Sequence, residues 1–116
     1  MSAPAELLAH RLAAAEAALD AAAGDRSLCD LSRAGAPGGV KELEGRLAAL
    51  LEVRRATRRE PTRPLTAVVE EVRPEWQHQL VVAEERQGPV WVAYRRGGVG
   101  ELAALAADLD AGPSPV

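Results

Sequence analysis

The stretch "LTAVVEEVRPEWQHQLVVAEERQGPVWVAYRR", Leu65–Arg96, decides between two folds for this chain. Its valine pairs are typical of strands. Its apolar residues also recur at a spacing that suits a helix: Leu65, Val69, Val72, Trp76, Leu80 and Ala83. The other residues of the stretch must therefore decide between strands and a helix.

Pro74 lies in the middle of this stretch and favours strands over one continuous helix. A proline inside a helix costs about 3 kcal/mol, because it lacks an N–H and its ring meets the preceding turn. The sequence "RPEW" between two valine-rich runs is an ordinary turn. We therefore predict a three-stranded antiparallel meander over 65–96, and the rival interpretation is a helix that starts at Pro74.

The second half of the stretch predicts a β-hairpin around Arg86–Pro89, because after this turn Val90, Val92 and Tyr94 alternate with Trp91, Ala93 and Arg95. On such strands the neighbouring glutamates of the pairs at 70–71 and 84–85 point to opposite faces, so neither pair forms an acid and base dyad. The chain has two tryptophans, one tyrosine and no phenylalanine. We therefore expect Trp76 and Trp91 to be its main bulky core residues.

Helices are predicted on both sides of the meander, over 4–23, 40–60 and 99–109. The first carries a heptad face and the second a leucine seam, and two such helices joined by a connector predict an antiparallel hairpin. The fold class is therefore α+β: a helical hairpin, a meander and a closing helix in one domain over 1–110, with a flexible tail at 111–116. The alternative is an all-α helical bundle.

Composition narrows the class of protein. The 116 residues carry a net charge of −3, which argues against a basic footprint spread over the whole domain. A single cysteine, Cys29, the lack of a signal-peptide pattern and the lack of a long apolar run predict an intracellular protein, in cytoplasm or nucleus, neither secreted nor membrane-bound.

The segment Arg95–Gly100, "RRGGVG", has the glycines and cations of a phosphate cradle. It lacks the spacing of known phosphate loops, and Glu101 follows where an anion would bind, so a plain turn is the favoured interpretation. His10 and His78 have no second ligand at metal spacing, and Cys29 has no catalytic signature. We predict no enzyme activity, no metal and no cofactor.

Arginines cluster after the leucine seam of the second helix. The candidate contacts for nucleic acid or another anion are Arg54, Arg55, Arg58, Arg59 and Arg63, with Arg95 and Arg96. The alternative for the same run is a solvated helix end whose cations meet the C-terminal dipole.

The helical seams carry the leading functional prediction. The predicted partner-binding residues are Leu8, Leu12, Leu19, Leu43, Leu47 and Leu50. They indicate a non-catalytic protein–protein interaction module, an adaptor or small subunit of an assembly, whose partner is another protein or a second copy of the chain. The seam of the first helix also fits the second helix of the same chain. The alternative is a nucleic-acid-associated protein that uses residues 54–63.

Overall fold

The structure is a computed structural model that describes residues 3–24 and 39–111, and these form helices joined by two short turns. The helices are α1 (Ala3–Gly24), α2 (Val40–Arg59), α3 (Leu65–Val82) and α4 (Pro89–Ala111). A single π-helical turn, Ala83–Gln87, joins α3 to α4. The described residues contain no strand, so the predicted α+β fold is wrong and the all-α alternative is correct.

The predicted meander over 65–96 is wrong because burial of one face of α3 outweighs the local preference for strands. Four side chains on that face are buried: Val68, Val69, Val72 and Trp76. Each contributes roughly 1.5–3 kcal/mol by leaving water, and together they exceed the cost of the internal proline. Pro74 and Glu70 are both exposed, so the hydrogen bond that the proline removes lies on the solvent side of α3. Neither a turn nor a helix start occurs at Pro74.

A turn does occur where the hairpin was predicted, but it joins two helices. The Gly88 N–H donates to the carbonyl of Ala83 at 3.1 Å, and Gly88 has φ +97°, a conformation that favours glycine. Pro89 then occupies the first position of α4, where its missing N–H costs nothing. The last helix therefore begins at Pro89 rather than Val99. Arg95–Gly100 lies inside it and is neither a turn nor a phosphate loop.

The hairpin of α1 and α2 is confirmed. The N-terminal half of α1 lies beside the C-terminal half of α2, so the two helices run in opposite directions. Leu8, Leu12 and Ala15 form the buried stripe of α1. Cys29 and its connector, and residues 112–116, lie outside the described residues.

The four helices of the described residues all contribute to one hydrophobic core. Its buried members are Leu8, Leu12, Ala15, Ala49, Leu50, Val53, Val68, Val69, Val72, Trp76, Leu102, Leu105 and Ala106. Trp76 is the bulky core residue that the sequence predicts, whereas Trp91 is 50% exposed, so the prediction is wrong for Trp91. Trp91 packs edge-on against Tyr94 at the start of α4.

Glycines let α2 and α4 touch backbone to backbone. A Cβ on Gly45 would lie 1.8 Å from the carbonyl oxygen of Tyr94, and one on Gly97 would lie 2.0 Å from that of Glu42. The neighbouring Gly98 faces the ring of Trp76 on α3, which a Cβ would approach to 2.3 Å. Gly97 and Gly98 therefore leave the space on α4 that the two helices packed against it occupy.

A buried carboxylate ties three helices together. Glu101 of α4 is only 6% exposed, and its two oxygens lie 3.0 Å from Nε of Arg11 on α1 and 3.3 Å from Nε of Arg46 on α2. Arg11 also reaches Asp108 at 3.4 Å. The negative charge of Glu101 therefore lies between two cations instead of at a helix start.

We expect Gly97→Ala to destabilise the fold by about 1–3 kcal/mol or more, because the added methyl overlaps backbone that cannot move aside freely. Gly100→Ala is the matched control: its Cβ meets nothing within 4 Å, and alanine should stabilise this helix interior by about 0.4–1 kcal/mol. Urea unfolding measures both. Equal effects of the two substitutions would contradict the backbone contact.

Glu101→Gln should destabilise the fold by about 1–3 kcal/mol, since it leaves two cations without their shared carboxylate. The partial exposure of both arginines keeps the loss below that of a fully buried pair. The control is Glu44→Gln, which removes the partly exposed pair with Lys41 and should cost only a few tenths of a kcal/mol. A Glu101 effect as small as the control, measured by urea unfolding, would show that the bridge contributes no stability.

Candidate partner-binding cleft

A cleft of about 680 Å³ lies between the N-terminal half of α1, the C-terminal half of α2 and the turn that leads into α3. Its lining residues are Pro4, Ala5, Leu8, Ala9, Leu12, Ala13, Glu16, Arg54, Thr57, Arg58, Pro61, Arg63, Pro64, Leu65 and Thr66. This volume lies within the range of ordinary ligand-binding pockets. The cleft is the candidate site because it combines an apolar lining with cations.

Alanines make room for the cleft on the α1 side. Ala5, Ala9 and Ala13 are exposed and follow one another at intervals of four residues, so they form one line along the helix. Beneath them Leu8 and Leu12 turn into the core. Larger side chains at the alanine positions would fill the space.

Two cations enter the cleft from α2. Arg54 and Arg58 lie one helical turn apart, and neither forms an ion pair with a described residue. Nε of Arg54 is buried without a hydrogen-bond partner among the described residues. Like charges at this spacing destabilise a helix by about 0.2–0.5 kcal/mol, which the dipole at the end of α2 partly offsets. An anion in the cleft would satisfy both side chains.

The third cation, Arg63, already has partners. It donates a hydrogen bond to the carboxylate of Glu71 on α3 and lies 3.7 Å from that of Glu60. The pKa of Glu71 is lowered, first by the hydrogen bond from Arg63 and then by the charges of Arg63 and Arg59. The same hydrogen bond raises the pKa of Arg63. These pairs fasten the turn between α2 and α3. Arg54 and Arg58 are the cations of the cleft that form no ion pair with a described residue.

The seam leucines are placed mainly inside the chain. Leu8, Leu12 and Leu50 are buried in the core of the same chain, and Leu8 and Leu12 also line the floor of the cleft. Leu19, Leu43 and Leu47 are half-buried. Leu47 packs against the core as well. The partner of the α1 seam within this fold is therefore α2.

The seven predicted arginines do not form one surface. Arg55 and Arg59 are exposed on α2 but do not line the cleft. Arg95 lies over the rings of Trp76, at 4.8 Å, and Tyr94, at 5.3 Å, near the other end of α2, and Arg96 is exposed. Cation–π contact of this kind stabilises a fold and accounts for Arg95 without an external ligand.

Sequence reasoning did not predict that alanines of α1 and the turn at 60–64 line one cleft. The spacing of Ala5, Ala9 and Ala13 was visible as a line of small residues, but composition explains alanine equally well in this chain. No local signal placed that line opposite Arg54 and Arg58, because the two sets of residues are 41–53 positions apart in the sequence and meet only when the hairpin of α1 and α2 closes.

Other kinds of site find little support in the described parts of the chain. There, no three histidine, cysteine, aspartate or glutamate side chains cluster in a way that would hold a metal ion. His10 and His78 are both exposed on their helices. Among residues 3–24 and 39–111, no helix is long and apolar enough to cross a membrane.

Comparison of the chain with family models, curated proteins and solved structures found no match.

Because Glu71 pairs with Arg63 beside the cleft, we predict that its contribution to stability depends on pH. Because its folded pKa lies below the ordinary value of 4.5, Glu71 stabilises the fold at neutral pH, and this advantage over Glu71→Gln should disappear as the pH falls through 4.5 and below. Urea unfolding of both proteins from about pH 7 to about pH 3 measures the difference.

Arg63 supplies the control for this prediction. In an Arg63→Gln background, Glu71→Gln should change the stability much less, and the pH dependence of the difference should shrink, because the main partner of Glu71 is gone. If the stability difference keeps its full pH dependence in this background, a group other than Arg63 causes that dependence.

Proposed function

We propose that the protein is a non-catalytic protein–protein interaction module whose partner binds in the cleft between α1 and α2. The observation that carries this proposal is an exposed alanine line that faces two arginines, Arg54 and Arg58, across one cleft, where neither arginine forms an ion pair with a described residue. Apolar surface rimmed by cations is the composition of a site that buries one face of a partner and fixes its orientation by charge.

The chemistry of the lining supports binding rather than turnover. Its cations are arginines, which stay protonated at every physiological pH and so do not transfer protons. They do form paired hydrogen bonds with carboxylates, which gives geometric specificity. A role as an adaptor or as a small subunit of an assembly is the form of binding that we propose, with the alanines of α1, rather than its buried leucines, as the contact surface.

A second candidate function is association with nucleic acid through the end of α2. It is favoured by the exposure of Arg55, Arg58 and Arg59 on the last two turns of that helix. Such contacts to a phosphate backbone would weaken steeply with salt. Arg95 does not extend this surface, because it lies over Trp76. Affinity that is flat from low to physiological salt would exclude this candidate.

Ala9→Arg tests the proposed function, because it places a long charged side chain in the cleft at a position that is exposed and should tolerate it. The tagged protein is used to recover its partner from the native host, and we expect recovery of that partner to fall about tenfold or more, the equivalent of about 1.4 kcal/mol. Circular dichroism and urea unfolding verify that the variant is folded.

The matched control is Ala14→Arg, the same substitution at an exposed position of α1 that does not line the cleft. It should recover the partner as the unmodified protein does. If both variants retain the partner, or both lose it while folded, the cleft is not the binding site.

A further inference from the structure

We infer that the cleft takes an acidic amphipathic α-helix of a partner protein, which lies along α1 with carboxylates on Arg54 and Arg58. This inference rests on the proposed function and goes further by naming the chemistry of the partner. It combines three observations on the part of the chain that the structure describes: the shape of the α1 wall, the lack of an ion pair at either arginine and the position of the one acidic side chain in the lining.

The shape of the α1 wall fits a helix. Ala5, Ala9 and Ala13 span eight residues, or about 12 Å, which is two turns of a partner helix. Small residues in a line at intervals of four allow another helix to approach closely and place its own ridge of side chains alongside. Leucine or similar residues on the partner would then fill the space toward Pro61 and Leu65.

The cations of the cleft specify carboxylates at a defined spacing. Arg54 and Arg58 are one turn apart, and residues at that separation on a helix lie about 5–6 Å apart. Two acidic residues one turn apart on the partner match this distance. Such carboxylates would accept hydrogen bonds from the guanidinium groups of Arg54 and Arg58. Arg63 does not compete for the carboxylates, since Glu60 and Glu71 occupy it.

The acidic side chain of the cleft limits where the carboxylates of the partner lie. Glu16 on α1 lines the end of the cleft away from Pro4 and Ala5. A partner carboxylate opposite Glu16 would be repelled, so the partner has an uncharged or basic residue there. The favoured helix therefore has its two acidic residues confined to the Arg54 and Arg58 side, and a uniformly acidic segment fits less well.

Other anions match the cleft less completely. A nucleic-acid backbone would use the arginines but leave the alanine line without an apolar partner. A fatty acid would use both, yet it would fill only part of a wall that is exposed along two turns of α1. The helix uses the whole wall and both cations.

The test uses the full chain and a panel of labelled synthetic helices of about 18 residues, which is about five turns. Each peptide has one leucine and alanine face and two glutamates one turn apart, and the panel moves the glutamate pair stepwise along the helix. A matching peptide with lysines in place of the two glutamates is the charge control for each member of the panel. Fluorescence anisotropy at low and at physiological salt, about 0.15 M, measures binding.

We expect one register of the glutamate peptides to bind at least about tenfold more tightly than its lysine counterpart. R54Q combined with R58Q should weaken that peptide about tenfold or more. R55Q combined with R59Q is the matched control, because it removes the same charge from the neighbouring exposed stripe of α2 outside the cleft. It should change the affinity about twofold or less.

Several outcomes would overturn the inference. One is that the R54Q/R58Q and R55Q/R59Q variants weaken binding equally, and another is that lysine peptides bind as tightly as glutamate peptides. A third is that no peptide of the panel binds, while dodecanoate or a single-stranded oligonucleotide binds in a way that depends on Arg54 and Arg58. If the panel fails but recovery of the native partner still depends on Ala9, the proposed function stands and the acidic helix is rejected. If the recovery test also fails, both are rejected.

Discussion

The backbone contact between α2 and α4 is the constraint on which the remaining packing depends. Gly45 and Gly97 each sit against a carbonyl oxygen of the opposite helix, so the two axes approach as closely as main chains allow. That approach lets Gly98 receive the face of Trp76 from α3 and lets Glu101 lie between arginines of α1 and α2. A side chain at either glycine would push α4 outward and separate all of these contacts.

The position of α1 connects the core to the candidate site. Leu8, Leu12 and Ala15 hold α1 on the core by hydrophobic burial, and the pair between Arg11 and Glu101 fixes it to α4. Only one stripe of the helix is used in this way. The alanine line beside that stripe stays exposed and forms the wall of the cleft, so the same helix serves folding on one side and, in the proposed function, recognition on the other.

The position of each arginine in the fold decides whether it has a partner within the chain. Arg63 pairs with Glu60 and Glu71, and Arg95 lies over Trp76, so both already have partners within the chain. Arg54 and Arg58 face a cleft without a counterion from the described residues. The net charge of −3 gives no hint of this local excess. The spatial arrangement of the arginines, rather than their number, supports the proposed binding of carboxylates.

The sequence by itself determined α1, α2 and their antiparallel pairing, because the spacing of Leu8, Leu12 and Ala15 requires a helix that buries one stripe. It also placed a turn near Gly88, where a positive φ is needed. The tertiary structure alone decided that Leu65–Val82 is a helix, because the buried face that includes Val68, Val72 and Trp76 stabilises it beyond the cost of Pro74. Only the tertiary structure brought the arginines of α2 next to the alanines of α1. The two segments are distant in the sequence, so neither one indicates that the other will be its neighbour in the fold.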